Sequence, residues 1–311
     1  MSEAKSLRTA YGEALVKFGG ENEKVVVCDA DLSHATMTGI FKAKFPERFF
    51  NFGIAETNMV CAAAGMAYEG LIPFVSTFAL FGAGRAYEQI RNSVAYVGAN
   101  VKFALTHAGL SVGEDGGSHQ SIEDIALMRV LPGMTVIVPC DPIETEKAVR
   151  AAIEINGPVY LRIARPVCQC ITAGNDSFIP GKANQLAQGN DIAIFATGLM
   201  VPEALEAVKI LEGSGIKASL INFHTIKPFD KTAAIEAAKA TGAVLTAEEH
   251  SVIGGLGSAA AESLAGLDGV KFARIGIEDK FGKSGTPPEL FEEYGLTAAH
   301  IAETAKKLLQ K

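Results

Sequence analysis

The sequence contains no tryptophan and few cysteines, which stand at positions 28, 61, 140, 168 and 170. Their odd number and the lack of any paired spacing predict buried thiols rather than a disulfide framework. A soft-metal site at Cys168 and Cys170 would need further ligands nearby, and a lone C-x-C stretch is a weak signal for one. We therefore expect a cytoplasmic protein with no metal site on this chain.

A basic cluster, a long apolar run and a signal-peptide core are also absent. The chain has 28 Lys and Arg against 35 Asp and Glu, a net charge of −7, with no basic patch, so nucleic acid is not an expected partner. No apolar run approaches the ~20 residues that a membrane span needs. The start, MSEAKSLRTAYGEAL, is polar and charged, unlike a signal peptide. We expect neither nucleic-acid nor membrane binding.

Short apolar runs alternate with longer helical patterns along the chain. This alternation predicts an α/β fold of two doubly wound domains with mostly parallel sheets. The turn-rich stretch 171–187 interrupts it, so we place one domain at 1–170, a linker at 171–187 and a second domain at 188–311. Predicted strands lie at 24–30, 71–77, 101–107, 134–140, 158–164, 191–198, 217–223, 242–249 and 271–277, and predicted helices at 3–18, 56–69, 84–97, 121–130, 142–155, 201–213, 230–240 and 256–265.

The densest collection of chemical groups is the loop THAGLSVGEDGGSHQSIED, residues 106–124, which follows a predicted strand. Its four glycines permit positive φ and a close approach of the backbone to a ligand. His107, Glu114, Asp115 and His119 are therefore candidates to converge on one small polar molecule. A polar surface loop and a zinc site are the alternatives, although the spacing is not that of a standard zinc motif.

Five stretches, in this order, resemble the pyrimidine-binding half of transketolase, a thiamine-diphosphate enzyme: GIAETNM, STFALF, THAGLSVGEDGGSHQSIEDIALMRVLPGM, PCDPIE and RIARP. Residues 190–311 resemble the family's C-terminal domain. In the family a GDG motif and a later Asn hold Mg²⁺, and no GDG occurs in this sequence. The resemblance therefore implies a split transketolase, in which a separate N-terminal subunit supplies the diphosphate and Mg²⁺ site.

The resemblance gives Glu56 the central catalytic and cofactor-binding role. In the family this carboxyl group hydrogen-bonds a ring nitrogen of the cofactor's aminopyrimidine and so promotes loss of the thiazolium C2 proton. Phe78 and Phe81 match positions that pack on the pyrimidine, and Asp31 matches an acid near the thiazolium and the substrate. From the residues alone, Glu56 could simply complement a helix dipole, and Phe81 could be ordinary core packing. A third aromatic residue usual in transketolases falls at Gly84.

Substrate contacts follow from the same resemblance. Asp115 and His119 match residues that bind sugar hydroxyls, whereas His107, Arg165 and Arg8 match contacts to the substrate phosphate. Arginine suits phosphate because its planar fork binds two oxygens at once. His107 and His119, with Glu56, are the predicted catalytic residues, and His107 is expected to assist proton movements. A surface ion pair is the alternative for each arginine.

One further departure concerns the phosphate contacts. A serine usual among them is replaced by Ala35, and the neighbouring Thr36 is a candidate substitute. This replacement weakens the case for an ordinary sugar-phosphate specificity.

Together these features predict one subunit of a thiamine-diphosphate-dependent transketolase of the pentose phosphate pathway. It would transfer a two-carbon ketol unit from a ketose phosphate to an aldose phosphate, as two copies of each chain. The small residues of NMVCAAAGMA predict a helix at a subunit interface and self-association through the pyrimidine domain. The alternatives are half of a deoxyxylulose-phosphate synthase, a transketolase for an unusual sugar, or a non-catalytic binding module.

Overall fold

The computed structural model describes residues 4–173 and 177–310. Its strands are β1 (Lys5–Ser6), β2 (Val25–Asp29), β3 (Phe49–Asn51), β4 (Ile72–Ser76), β5 (Lys102–Thr106), β6 (Thr135–Ile137), β7 (Val159–Ile163), β8 (Val167–Cys168), β9 (Asn184–Ala187), β10 (Ile192–Ala196), β11 (Ala218–Asn222), β12 (Thr225–Lys227), β13 (Ala243–Ser251) and β14 (Lys271–Ile277). Its α-helices are α1 (Leu7–Glu21), α2 (Gly39–Lys44), α3 (Glu56–Tyr68), α4 (Tyr87–Gln89), α5 (Asp124–Arg129), α6 (Pro142–Glu154), α7 (Met200–Glu212), α8 (Lys231–Thr241), α9 (Leu256–Leu264), α10 (Pro287–Glu293) and α11 (Ala298–Gln310). The predicted α/β class with mostly parallel sheets is confirmed.

The first sheet has the order β12–β6–β7–β5–β4–β2–β3. Every neighbouring pair is parallel except β12 with β6. All residues of β2, β4, β5 and β7 are buried, because helices cover both faces of a parallel sheet. The carboxyl ends of β2, β4 and β5 lead into Asp31, Phe78 and His107, so the topology brings these positions to one edge.

The second sheet has the order β14–β13–β10–β11–β9, and only β9 is antiparallel to its neighbour. Asn184–Ala187 therefore belongs to this sheet, and the linker predicted at 171–187 ends earlier than expected. The sequence NQLA lacks β-branched residues, so its pairing with β11 had no local signal. Residues 174–176 of the predicted linker lie outside the described residues.

Residues 84–97, predicted as one helix, follow a different path. Two π-helical segments, Leu80–Arg85 and Ile90–Ala95, flank the short helix α4. Such π turns often occur at functional sites. Gly82 allows close packing on β5, because a Cβ there would lie 2.4 Å from Leu105 Cδ1. The segment places Phe81 and Arg85 beside the start of α3. Among the described residues, no helix is long and apolar enough to cross a membrane.

Candidate active site

Glu56 is the first residue of α3 and is only 2% exposed. Gly53, with φ of +68°, makes the turn that leads from β3 into this helix. Arg85 Nη1 donates to both carboxylate oxygens of Glu56, each at 2.9 Å. A buried carboxylate without a partner would be costly, so this ion pair stabilises Glu56 where it stands. Nothing in the sequence pointed to a role for Arg85, because it lies 29 positions from Glu56 along the chain.

Four aromatic rings gather where β4 and β5 end. A parallel bridge between Phe78 and Thr106 holds the two strand ends side by side. The Phe78 ring stacks on His107 with centroids 3.8 Å apart, and on Phe81 with centroids 5.6 Å apart. His119 meets Phe81 edge-on at 5.3 Å. The structure thus brings together Phe78, Phe81, His107 and His119, which we call the aromatic cluster.

Two arginines, Arg8 and Arg165, lie close enough to His107 in the aromatic cluster to influence its charge state. Burial, together with the charges of Arg8 and Arg165, lowers the pKa of His107 to about 3. Burial and the charge of Arg165 also lower the pKa of Arg8. Arg8 donates to the carbonyl oxygens of Ala35 at 2.6 Å and Arg165 at 3.3 Å. Two fixed guanidinium groups beside a neutral imidazole make a site suited to an anion.

Arg165 also contacts the acidic part of the loop. Its Nη1 atom lies 3.6 Å from Asp115 Oδ2 and 3.7 Å from Glu114 Oε2, and it donates to the carbonyl oxygen of Val112. Both acids are exposed. Asp115 is therefore held near Arg165 while remaining open to a ligand.

The second domain supports this loop from behind. Gln120 Nε2 donates to the carbonyl oxygens of Leu110, Gly113 and Lys283. The backbone N–H of Ser111 donates to Glu249 Oε1. Glu249 was not predicted as a functional residue, although an acid at the end of a predicted strand was a visible signal. The loop that carries Asp115 and His119 is thus positioned by residues more than a hundred positions away.

The turn after β2 holds Asp31 and corrects one expectation. Asp31 has φ of +64°, and Asn51 Nδ2 donates to its Oδ1 at 3.0 Å. Thr36 is fully buried and its hydroxyl donates to Asp29 Oδ2 at 2.8 Å, as does that of Thr38. The prediction that Thr36 substitutes as a phosphate contact is therefore wrong, because the Thr36 hydroxyl already donates to Asp29 and helps to shape the turn.

The predicted residues fall into three groups: the aromatic cluster with its charged neighbours, Glu56, and Asp31. The first group is the aromatic cluster of Phe78, Phe81, His107 and His119, with Arg8, Arg165 and Asp115 beside it. Glu56 joins it through Arg85, whose guanidinium carbon lies 5.0 Å from the Phe81 ring centre. The hydrogen bonds of Asp31 run to Asn51. Within residues 4–173 and 177–310, no three His, Cys, Asp or Glu side chains are placed to hold a metal ion.

Comparison with known proteins gives matches along the whole chain. The transketolase pyrimidine-binding domain family matches residues 3–169, and the transketolase C-terminal domain family matches residues 181–301. A transketolase C-terminal section from Methanocaldococcus jannaschii is 48% identical over 311 residues, covering 99% of this chain and 97% of the relative. A 6-deoxy-6-sulfo-D-fructose transketolase subunit from Clostridium sp. is 43% identical over 305 residues, covering 98% and 95%.

Solved structures and longer relatives match the same family. A split-gene transketolase solved as an inactive beta4 tetramer is 49% identical, covers 99% of both chains and superposes with a TM-score of 0.91. Human transketolase is 35% identical over 308 residues, which are 98% of this chain but 49% of the human protein. The chain therefore spans about half the length of that relative. It belongs to the transketolase family, as a pyrimidine-binding domain followed by a transketolase C-terminal domain.

Proposed function

We propose that this chain is the pyrimidine-binding subunit of a thiamine-diphosphate-dependent transketolase, which transfers a two-carbon ketol unit from a ketose phosphate to an aldose phosphate. The observation that carries the proposal is the buried Glu56 carboxylate, which Arg85 links to the Phe81 ring of the aromatic cluster. An aminopyrimidine needs an apolar surface for its ring faces and a carboxyl group at one edge. This chain supplies both, so its residues fit the pyrimidine half of the cofactor.

In this proposal Glu56 holds one edge of that ring and shares a proton with it. Its near-complete burial keeps water away, and its position on a helix start fixes its direction. When bound, the cofactor supplies the carbanion that accepts and releases the two-carbon unit. The Mg²⁺ and diphosphate ligands belong, in this proposal, to the partner subunit.

The charged side of the aromatic cluster orients the substrate. Arg8 and Arg165 bind its anionic end, and Asp115 and His119 bind its hydroxyl groups. His107 is neutral because of burial and its cationic neighbours, so it acts as a hydrogen-bonding group rather than as a fixed charge. Its Nδ1 atom lies 2.8 Å from Thr106 Oγ1, which leaves Nε2 for substrate.

Assembly with other chains would cover exposed side chains at both ends of α3 and after the second π-helical segment. Ile54, just before α3, Tyr68, at its last residue, and Tyr96 are 79%, 62% and 84% exposed, and large exposed side chains of this kind often mark protein interfaces. Tyr68 Oη donates to the carbonyl oxygen of Ser93, which connects α3 to the second π-helical segment. We propose that an N-terminal subunit and a second copy of this chain bury this surface, giving two copies of each in the active enzyme.

A sulfonated sugar is a second candidate substrate. The relative from Clostridium sp. is named as a transketolase subunit for 6-deoxy-6-sulfo-D-fructose. A sulfonate is an anion like phosphate, and Arg8 and Arg165 suit either group. Ala35 replaces a serine usual among the family's phosphate contacts, which makes this alternative worth testing directly.

The test is a two-chain assay. The chain is mixed with an equimolar complementary subunit that carries a GDG motif, together with thiamine diphosphate and Mg²⁺. Ketol transfer is measured with ketose phosphates, with 6-deoxy-6-sulfofructose and, as a decarboxylative control, with pyruvate for deoxyxylulose-phosphate synthase activity. We expect transfer only when both chains are present, and His119→Ala reduces it while the exposed His300→Ala does not. Absence of transfer with every donor would refute the proposal, and cofactor binding without transfer would favour a binding module.

A further inference from the structure

Arg85 makes two contacts that a bound aminopyrimidine would also make. It donates to both oxygens of Glu56, and its guanidinium lies over the Phe81 ring. A guanidinium is flat, packs on aromatic faces and donates N–H groups to carboxylates. In these respects it resembles the edge and face of an aminopyrimidine.

The two partners of this ion pair differ in solvent exposure. The Glu56 side chain is 2% exposed and anchored at the start of α3, whereas the Arg85 side chain is 52% exposed. Arg85 also stands at the end of a π-helical segment, on a long side chain with many rotamers. Arg85 can therefore withdraw into solvent while Glu56 stays in place.

We propose that Arg85 occupies the place of the pyrimidine ring in the cofactor-free chain and must leave Glu56 when the cofactor binds. This inference rests on the proposed function. Arg85 then stabilises the chain before assembly and weakens cofactor binding by competition. The competing contacts are a half-exposed ion pair and a cation–π contact, whose loss corresponds to roughly a 3- to 30-fold change in Kd.

Calorimetry of the assembled enzyme measures the competition. Thiamine diphosphate with Mg²⁺ is titrated into the equimolar two-chain mixture containing wild-type chain, Arg85→Met or Arg91→Met. Arg91 is the matched control, because it is exposed and donates to its neighbour Asn92. We expect roughly 3- to 30-fold tighter binding with Arg85→Met and no change with Arg91→Met. Unchanged or weaker binding with Arg85→Met overturns the inference.

A double-mutant cycle links the effect to Glu56. In a Glu56→Gln background, Arg85→Met should change the cofactor Kd by less than about twofold, because the ion pair is already gone. An equally large effect in both backgrounds overturns competition through Glu56. If neither wild-type nor Arg85→Met mixtures bind cofactor, the proposed function fails instead, which separates the two failures.

Thermal unfolding of the chain alone gives an independent result. Without cofactor, Arg85→Met should lower Tm relative to both wild type and Arg91→Met, since it leaves Glu56 buried and unpaired. An unchanged Tm would mean that Arg85 does not stabilise the cofactor-free chain, and would also contradict the inference.

Discussion

Replacing Glu249 by glutamine should stabilise the protein at alkaline pH. Glu249 is buried at the contact between the second domain and the active-site loop, where its Oε1 atom accepts from the Ser111 N–H. Its Oε2 atom has no hydrogen-bond partner among the described residues. A glutamine keeps the acceptor for Ser111 and puts an uncharged amide in place of the unpartnered oxygen. The substitution therefore removes a buried charge without creating a cavity.

The size of this stabilisation and its dependence on pH follow from the pKa of Glu249. Burial raises it from 4.5 to about 7, against the opposing charge of Arg162. A raised carboxyl pKa stabilises the fold below about pH 4.5, and this contribution is lost as the pH rises through about 7. The loss amounts to about 3 kcal/mol once the pH lies above both values. The glutamine side chain does not titrate, so Glu249→Gln should gain about that much at pH 8 and less than about 1 kcal/mol at pH 5.

Urea unfolding of the chain at pH 5, 6, 7 and 8 measures this difference. The free energy of unfolding of Glu249→Gln, minus that of wild type, should grow steadily with pH. Glu212→Gln is the control, because Glu212 is exposed at the end of α7. A difference that is independent of pH, or a variant less stable than wild type at pH 8, would show that the Glu249 charge is well compensated.

Two further substitutions test how the loop and the domains are held. Gly282→Ala places a Cβ 1.8 Å from Gln120 Oε1. It should lower the free energy of unfolding in urea by about 1–3 kcal/mol and reduce kcat/KM of the two-chain enzyme. A loss of stability below about 0.5 kcal/mol would show that Gln120 moves freely. Asp124→Asn removes the ion-pair partner of the buried Arg162, which keeps only hydrogen bonds to carbonyl oxygens of Ser121 and Glu249, so it should cost about 3–5 kcal/mol at pH 7. Burial raises the pKa of Asp124 but Arg162 lowers it further, to below its usual value. The wild-type advantage is therefore present above about pH 4 and should shrink as the pH falls below it, and an equal loss at pH 7 and pH 3.5 would contradict this.

The central strands could be predicted because a parallel strand buried on both faces appears as a continuous apolar run. β2, β4 and β5 show this pattern, and each was predicted within a residue or two. β12 could not be predicted as a member of the first sheet, because its antiparallel pairing with β6 joins segments about 90 residues apart. The π-helical segments have no distinct hydrophobic period, so residues 84–97 looked like one ordinary helix.

The same distinction, between local sequence patterns and contacts between distant segments, holds for the candidate site. Motifs within single segments predicted Glu56, Phe78 and His119 as site residues, because the family places these residue types in short, specific stretches, and their roles remain predictions. Contacts between distant segments were invisible in the sequence: Arg85 with Glu56, and Glu249 with the loop. The cytoplasmic location remains a prediction, since the structure bears only on membrane-spanning helices.

Ketol transfer by a Glu56→Gln variant tests the central claim most directly. The variant is mixed with the complementary subunit, thiamine diphosphate and Mg²⁺, beside wild type and Glu69→Gln, which changes an exposed acid at the other end of α3. Loss of a positioned proton-sharing group should reduce kcat by about 10²- to 10⁴-fold, with unfolding and subunit assembly like those of wild type. Glu69→Gln should retain full activity. A Glu56→Gln enzyme that keeps wild-type kcat would contradict the account.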